Sequence, residues 1–170
     1  MSAGLVEGEG FAGNDGTRAW EVPPPGVSSW TKLRMNWIDP AKVRVVRPGE
    51  TKEILLGPLG DGASDTLVIK VPLSASTYYL VENRQPIGFD RNLPGSGVLI
   101  SYADDQVAEC RHGNSPVKLK DANPQIPNLE GAAFDIGKSD SYQDPQNGFK
   151  VQLVGKVGNS YKVLFSPHGR

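Results

Sequence analysis

The stretch that decides the fold is residues 149–165, FKVQLVGKVGNSYKVLF. Apolar and polar side chains alternate on both sides of Gly158-Asn159, a dipeptide that is typical of a tight hairpin turn. Strict alternation predicts two strands, each with one face in the core and one in solvent. The residues expected on the core face are Phe149, Val151, Leu153, Tyr161, Val163 and Phe165.

Short apolar stretches separated by glycine and proline continue upstream of this hairpin. With 20 glycines and 14 prolines among 170 residues, many turns are expected. About eight or nine strands without β-α-β alternation predict a mainly β protein, an antiparallel β-sandwich or a jelly-roll-like barrel. In 116–120, valine and leucine alternate with lysines, so one face of this predicted strand should be exposed to solvent. The other predicted strands are 42–47, 51–56, 66–73, 76–83, 97–102 and 132–136.

The N-terminal part lacks the β pattern. Residues 1–19 are rich in glycine and predict a flexible leader, so that residues 20–170 form one β-sandwich domain. A short helix is expected near 28–38. Ser28 is the predicted N-cap, and the helix is expected to end at Asp39-Pro40. The side chains expected to dock this helix are Trp30, Leu33 and Trp37, which share one helical face.

Charge and composition exclude several classes of function. Lys and Arg total 18 and Asp and Glu total 19, so the net charge is −1 and nothing favours nucleic acid or an anionic membrane. Apolar runs fall short of the ~18 residues that a spanning helix needs. The single cysteine excludes an internal disulfide framework. No signal-peptide pattern occurs, which predicts either a cytosolic protein or a piece of a larger secreted one.

Common catalytic motifs are missing from the chain. A helical HExxH zinc motif does not occur, and His112 and His168 are the only histidines. No G-x-S-x-G nucleophile elbow is found either. We therefore expect neither a catalytic metal nor a histidine-activated nucleophile, and no enzymatic activity of those classes.

Paired carboxylates leave one catalytic alternative. Glu82 and Arg84 share a strand face because they are two residues apart, and Asp90 follows closely. Glu82 and Asp90 are the residues that a small hydrolase would use as acid and base. The alternative, which we favour, is a structural network in which Arg84 or Arg91 neutralises the acids.

Acidic residues also cluster in FDIGKSDSYQDPQNG, residues 134–148. Asp135, Asp140 and Asp144 are oxygen ligands of the type that calcium prefers, although the spacing is not that of an EF-hand. Neutralisation by Lys138 is the alternative, because clustered carboxylates repel one another unless a positive charge intervenes. Calcium is the only cofactor that the sequence suggests.

Residues 78–100, YYLVENRQPIGFDRNLPGSGVLI, resemble a known family. The block is similar to the region after the catalytic domain of immune-inhibitor-A-type secreted zinc metallopeptidases. Residues 28–32 and 36–40 resemble the helix that precedes this region, whereas Ser101-Tyr102-Ala103-Asp104 replaces the family's Trp-His-x-Asp. The motif residues are Glu82, Asn83, Arg84, Gly88, Phe89, Asp90, Leu93, Pro94, Gly95, Gly97, Leu99 and Ile100.

The resemblance implies a β-sandwich that accompanies a protease without its catalytic residues. It predicts a non-catalytic binding or accessory module, extracellular, with a protein or glycan partner. The alternatives are the small hydrolase that uses Glu82 and Asp90 and a purely structural module.

Overall fold

The computed structural model describes residues 24–111 and 113–169, so the predicted leader, residues 1–19, lies outside the described residues. In this part of the chain there are one α-helix and nine strands, with three short 3₁₀ segments between them. The helix α1 is Ser29–Arg34. The strands are β1 Val43–Val45, β2 Lys52–Leu56, β3 Val68–Pro72, β4 Thr77–Arg84, β5 Gly97–Asp104, β6 Val117–Lys120, β7 Ser141–Asp144, β8 Phe149–Val157 and β9 Ser160–Pro167.

The strands form two open sheets. The five-stranded sheet has the order β1-β3-β4-β5-β6, and the four-stranded sheet has the order β2-β9-β8-β7. Neighbours pair antiparallel, except that β1 runs parallel to β3. The predicted fold class, a mainly β sandwich with one short N-terminal helix, is confirmed, and the sheets do not close into a barrel. No helix of the described residues is long and apolar enough to cross a membrane.

The C-terminal hairpin has the predicted faces. Val157 pairs with Ser160 across the Gly158-Asn159 turn, where Gly158 takes a φ of 57°. All six side chains expected in the core are buried. They pack between the two sheets because alternation along β8 and β9 directs every second side chain to the same face.

Two assignments in the strand list differ from the prediction. Residues 132–136 form no strand, since Phe134 makes only an isolated bridge with Val98. The strand β7 was not predicted and pairs with β8. Its sequence, SYQD, carries a single large apolar side chain, so alternation could not reveal it.

Strand β4 is buried on both faces. Tyr79 and Val81 belong to the core cluster between the sheets, whereas Tyr78 and Leu80 belong to a second cluster on the outer face. Burying each such side chain contributes about 1.5–3 kcal/mol to the free energy of folding. The five-stranded sheet is therefore the middle layer of the molecule, with β2-β9-β8-β7 on one face and α1 on the other.

The start of α1 is as predicted. The Ser28 hydroxyl oxygen accepts a hydrogen bond from the Thr31 N–H, as an N-cap residue does. Trp30 and Leu33 pack against the outer cluster, so these two side chains dock the helix on the sheet.

The helix ends earlier than the predicted range 28–38. Asn36 takes a left-handed φ of 54°, the N–H of Trp37 donates to Lys32 O at 2.8 Å, and the N–H of Asn36 donates to Leu33 O at 3.2 Å. This pair of bonds is a Schellman motif, which reverses the chain at the helix end. Trp37 is consequently 63% exposed, and the prediction that it docks the helix was wrong.

Candidate functional site

The residues of the 78–100 block converge on one buried cluster, which we call the junction network: the side chains of Glu82, Arg84 and Asp90 with the backbone of Gly26 and Ser29. Glu82 and Arg84 lie on the outer face of β4, and Asp90 comes from the 3₁₀ segment Gly88–Asn92. The exposed fractions of Glu82, Arg84 and Asp90 are 3%, 6% and 3%. Charges at this depth must be paired to be tolerated.

Arg84 bridges the two carboxylates of the junction network. Its Nη1 donates to Glu82 Oε1 at 3.1 Å, and its Nη2 donates to Asp90 Oδ1 at 2.6 Å. Burial works against the charge of Arg84, but its contacts with Asp90 and Glu82 raise the pKa of the guanidinium above its usual value. Arg84 therefore stays charged, and it, rather than the exposed Arg91, is the partner of both acids.

The same carboxylates hold the segment that leads into α1. The N–H of Ser29 donates to Glu82 Oε2 at 2.6 Å, and the N–H of Gly26 donates to Asp90 Oδ1 at 2.8 Å. Arg84 Nη2 donates back to Gly26 O at 2.6 Å. A Cβ on Gly26 would lie 3.0 Å from Asp90 Oδ1, so glycine permits this close approach. The junction network thus fastens the segment to the sheet by charge-assisted hydrogen bonds.

This geometry opposes a hydrolytic role for the acid pair. A general acid or base must reach the substrate, directly or through one water. A cavity of about 180 Å³ lies beside the junction network, and Arg84 lines it, but neither Glu82 nor Asp90 does. Both acids instead direct oxygens to Arg84 and to backbone N–H groups.

Asn83, between the two charged residues of β4, points to the opposite face of the sheet. Its Nδ2 donates to Leu56 O at 3.2 Å and to Asn159 O at 2.7 Å, and its side chain is fully buried. Leu56 ends β2, and Asn159 lies in the turn between β8 and β9. The tripeptide Glu82-Asn83-Arg84 therefore joins the middle sheet to the segment before α1 on one side and to the second sheet on the other.

Other residues of the motif shape the chain around this joint. A Cβ on Gly97 would lie 2.5 Å from Phe134 O, so only glycine allows the two backbones to approach so closely. Gly88 takes a left-handed φ of 60° at the start of its 3₁₀ segment. Phe89 is 71% exposed. Pro94 and Gly95 line the cavity beside Arg84.

The structure does not bring the three predicted calcium ligands together. Asp135 accepts from the Tyr161 hydroxyl at 2.5 Å and pairs with Lys156 at 2.9 Å, so Lys156 rather than Lys138 supplies the positive charge. Asp140 is exposed. Between residues 24 and 169, His112 aside, no group of three or more acidic, histidine or cysteine side chains could hold a metal ion. The expectation of a calcium cluster at Asp135, Asp140 and Asp144 is therefore not met.

Asp144 belongs to a hydrogen-bonded group at the edge of the inter-sheet core. Its Oδ2 accepts from the Tyr79 hydroxyl and from Asn147 Nδ2, both at 2.7 Å. Burial opposes ionisation, yet hydrogen bonds from Asn147 and Tyr79 hold the pKa of Asp144 below its usual value. Burial and the hydrogen bond to Asp144 raise the pKa of Tyr79, so this hydroxyl keeps its proton.

A second feature is an open cleft of about 890 Å³ between β6 and β7, each the last strand of its sheet. We call it the lysine–tyrosine cleft after five of its lining residues. The sequence predicts that the lysines of 116–120 face solvent. It could not show that this solvent-exposed face of β6 is the one that lies between the two sheets. The five residues are Tyr79, Tyr102, Lys118, Lys120 and Tyr142.

Comparison with protein-family models and with curated proteins gave no match to this chain.

Proposed function

We propose that this chain is a non-catalytic β-sandwich accessory module, related to the region that follows the catalytic domain of immune-inhibitor-A-type metallopeptidases. The observation that carries the proposal is the junction network. Glu82 and Asp90, the two acids that could have served catalysis, are both part of this network. They hold the chain segment that enters the sandwich from its N-terminal side.

The residues behind the resemblance support this proposal by what they do. Glu82, Arg84 and Asp90 are the charged members of the motif, and all three hold the segment Gly26–Ser29 against the sheet. Asn83 ties the same strand to the second sheet. A motif that serves as a joint is expected where a sandwich must keep a set orientation to the region before it.

The energetics also favour a joint. Removing one partner of a buried ion pair lowers the free energy of unfolding by about 3–5 kcal/mol. Replacing the whole pair with well-packed apolar side chains often leaves that free energy unchanged. A loosely attached segment would need no such network, because exposed linkers carry few contacts. A fixed junction is useful when an upstream region must be presented rigidly, which is the role of an accessory module.

The experiment uses the purified chain and a separately expressed catalytic region of an immune-inhibitor-A-type metallopeptidase. The chain alone should not hydrolyse casein, with or without added zinc. Mixed with the catalytic region, it should form a complex in sedimentation velocity and raise the melting temperature of that region. Arg84→Met should weaken the complex, whereas Arg91→Met, a matched change of an exposed arginine, should not.

Two results would overturn the proposal. Zinc-dependent casein hydrolysis by the chain alone, lost on addition of a chelator, would make it an enzyme. Absence of any complex with the catalytic region at micromolar concentrations would remove the proposed relation to the metallopeptidases.

A further inference from the structure

The lysines of β6 face the space between the two sheets. Lys118 pairs with Tyr102, and Lys120 pairs with Ile100, in the antiparallel register of β5 and β6. Paired residues share a sheet face. Ile100 belongs to the inter-sheet core and Tyr102 packs against it, so the two ammonium groups are directed into the sandwich at its open side.

Three tyrosines surround one of these charges. The Lys120 Nζ lies 5.6 Å from the ring centroid of Tyr79, 5.8 Å from that of Tyr102 and 6.0 Å from that of Tyr142. Such distances are within the range of cation–π attraction. Among residues 24–111 and 113–169, neither Lys118 nor Lys120 has an ion-pair partner.

The hydroxyl groups at the base of the cleft are already used. Tyr79 gives its only proton to Asp144, so in the 3.0 Å contact between the two hydroxyls Tyr142 donates to Tyr79. Asn147 donates to the same carboxylate. Asp144 Oδ2 therefore already accepts two hydrogen bonds, and the groups left for a ligand are the ammonium donors, the side-chain amide of Gln146 and the tyrosine rings.

We propose that the lysine–tyrosine cleft binds a glycan that carries carboxylate groups. A sugar carboxylate would meet the ammonium of Lys120 or Lys118 in a charge-assisted hydrogen bond. The C–H groups on one face of a sugar ring would pack on Tyr102 or Tyr142, because the face of an aromatic ring is its negative side. The sugar hydroxyls would bond to the side-chain amide of Gln146.

The lining of the cleft favours a glycan over a peptide. Peptide grooves supply apolar pockets for side chains, whereas this cleft offers charged, amide and hydroxyl-bearing groups, with Leu73 and Pro145 as its apolar members. Two lysines outweigh one acid, Asp144, so the charge of the cleft suits an anionic ligand. The inference does not rest on the proposed relation to metallopeptidases, because none of its residues belongs to the junction network.

Inward-pointing lysines also have a second use in β proteins. A charge on the inner face of an edge strand prevents pairing with the edge of another molecule. If Lys120 served only this purpose, its replacement would promote self-association and leave sugar binding unchanged.

The experiment is isothermal titration of the full chain with trigalacturonate and with a hyaluronan tetrasaccharide. The fully methyl-esterified trigalacturonate is the matched neutral probe. At least one acidic probe should bind, and the binding should weaken as salt is raised, because screening reduces the contribution of charge. If trigalacturonate binds, its methyl ester should bind at least tenfold more weakly.

Two variants and one control locate the site. Lys120→Gln and Tyr102→Leu should each weaken the acidic probe at least tenfold, while Lys162→Gln, an exposed lysine of β9, should leave the affinity unchanged. Circular dichroism checks that each variant is folded. The proposal is overturned if neither acidic probe binds at millimolar concentration, if the ester binds as well as the acid, or if Lys120→Gln binds normally but self-associates.

Discussion

The junction network and the lysine–tyrosine cleft place charged side chains on opposite faces of the same five-stranded sheet, but they treat those charges differently. At the junction, Arg84 meets Glu82 and Asp90, and the N–H groups of Ser29 and Gly26 donate to the same two carboxylates. In the cleft, Lys118 and Lys120 have no acid partner in the part of the chain that the structure describes.

The difference distinguishes a structural charge from one available to a ligand. A buried ionic group whose partners all come from its own chain has little hydrogen-bonding capacity left for a ligand. Its removal lowers the free energy of unfolding. A charge that faces an open cleft without a partner can be removed with little change in the free energy of unfolding. Its removal instead lowers the affinity for a ligand.

The largest effect is expected at the junction. Arg84→Met should lower the free energy of unfolding by about 3–5 kcal/mol, because it leaves two buried carboxylates without their shared counter-charge. Urea denaturation followed by circular dichroism measures this. Arg91→Met, seven positions further along and exposed, should unfold like the parent chain. Equal stability of the two variants would contradict a structural role for the network.

A smaller loss is expected at Gly97. Gly97→Ala would place a Cβ at 2.5 Å from Phe134 O, and the backbone must shift, at a cost of about 1–3 kcal/mol. Gly155 is the control, since its Cβ would meet Lys162 at an ordinary 3.5 Å. Thermal melts of both variants give the comparison, and a Gly97→Ala chain as stable as Gly155→Ala would show that the close approach is not required.

The tyrosine–aspartate group should make stability depend on pH. Because the pKa of Asp144 is held below its usual 3.8 in the folded chain, its contribution is present above that value and is lost as the pH falls through the folded-state pKa. Asp144→Asn should therefore flatten the loss of stability on acidification. Thermal melts of Asp144→Asn and of the parent chain across a range of pH values give the two profiles. The two profiles would coincide if Asp144 made no ionised contact.

The smallest effect concerns calcium. Asp135 is paired with Lys156, and Asp144 accepts from Tyr79 and Asn147, so residues 134–148 offer millimolar calcium no ligand cluster. Thermal melts with calcium and with chelator should coincide. A rise of several degrees in calcium that disappears in Asp140→Asn would restore the calcium site that the loop sequence suggested.

Alternation in the sequence predicted much of this architecture, because it shows which residues share a face. It placed the hairpin faces correctly and put Glu82 and Arg84 on one side of β4. It could not say which face of β6 turns inward, since that depends on the neighbouring strand β5. The cleft was missed for this reason.

Features set by distant partners were beyond sequence reasoning. Glu82 and Asp90 could be paired with a nearby arginine from spacing alone, but their contacts with Ser29 and Gly26 join residues far apart in the chain. The helix end was also misplaced, because a proline is a strong stop signal and the left-handed turn at Asn36 is a weaker one.

Amide hydrogen exchange of Gly26 and Ser29, followed by NMR, tests the central claim most directly. Both N–H groups donate to buried carboxylates of the junction network, so their exchange should be slowed nearly as much as that of core amides in β4. In Arg84→Met this protection should fall further at Gly26 and Ser29 than at the core amides of β4. Exchange of the two amides at the rate of an unstructured chain in the parent protein would contradict the account.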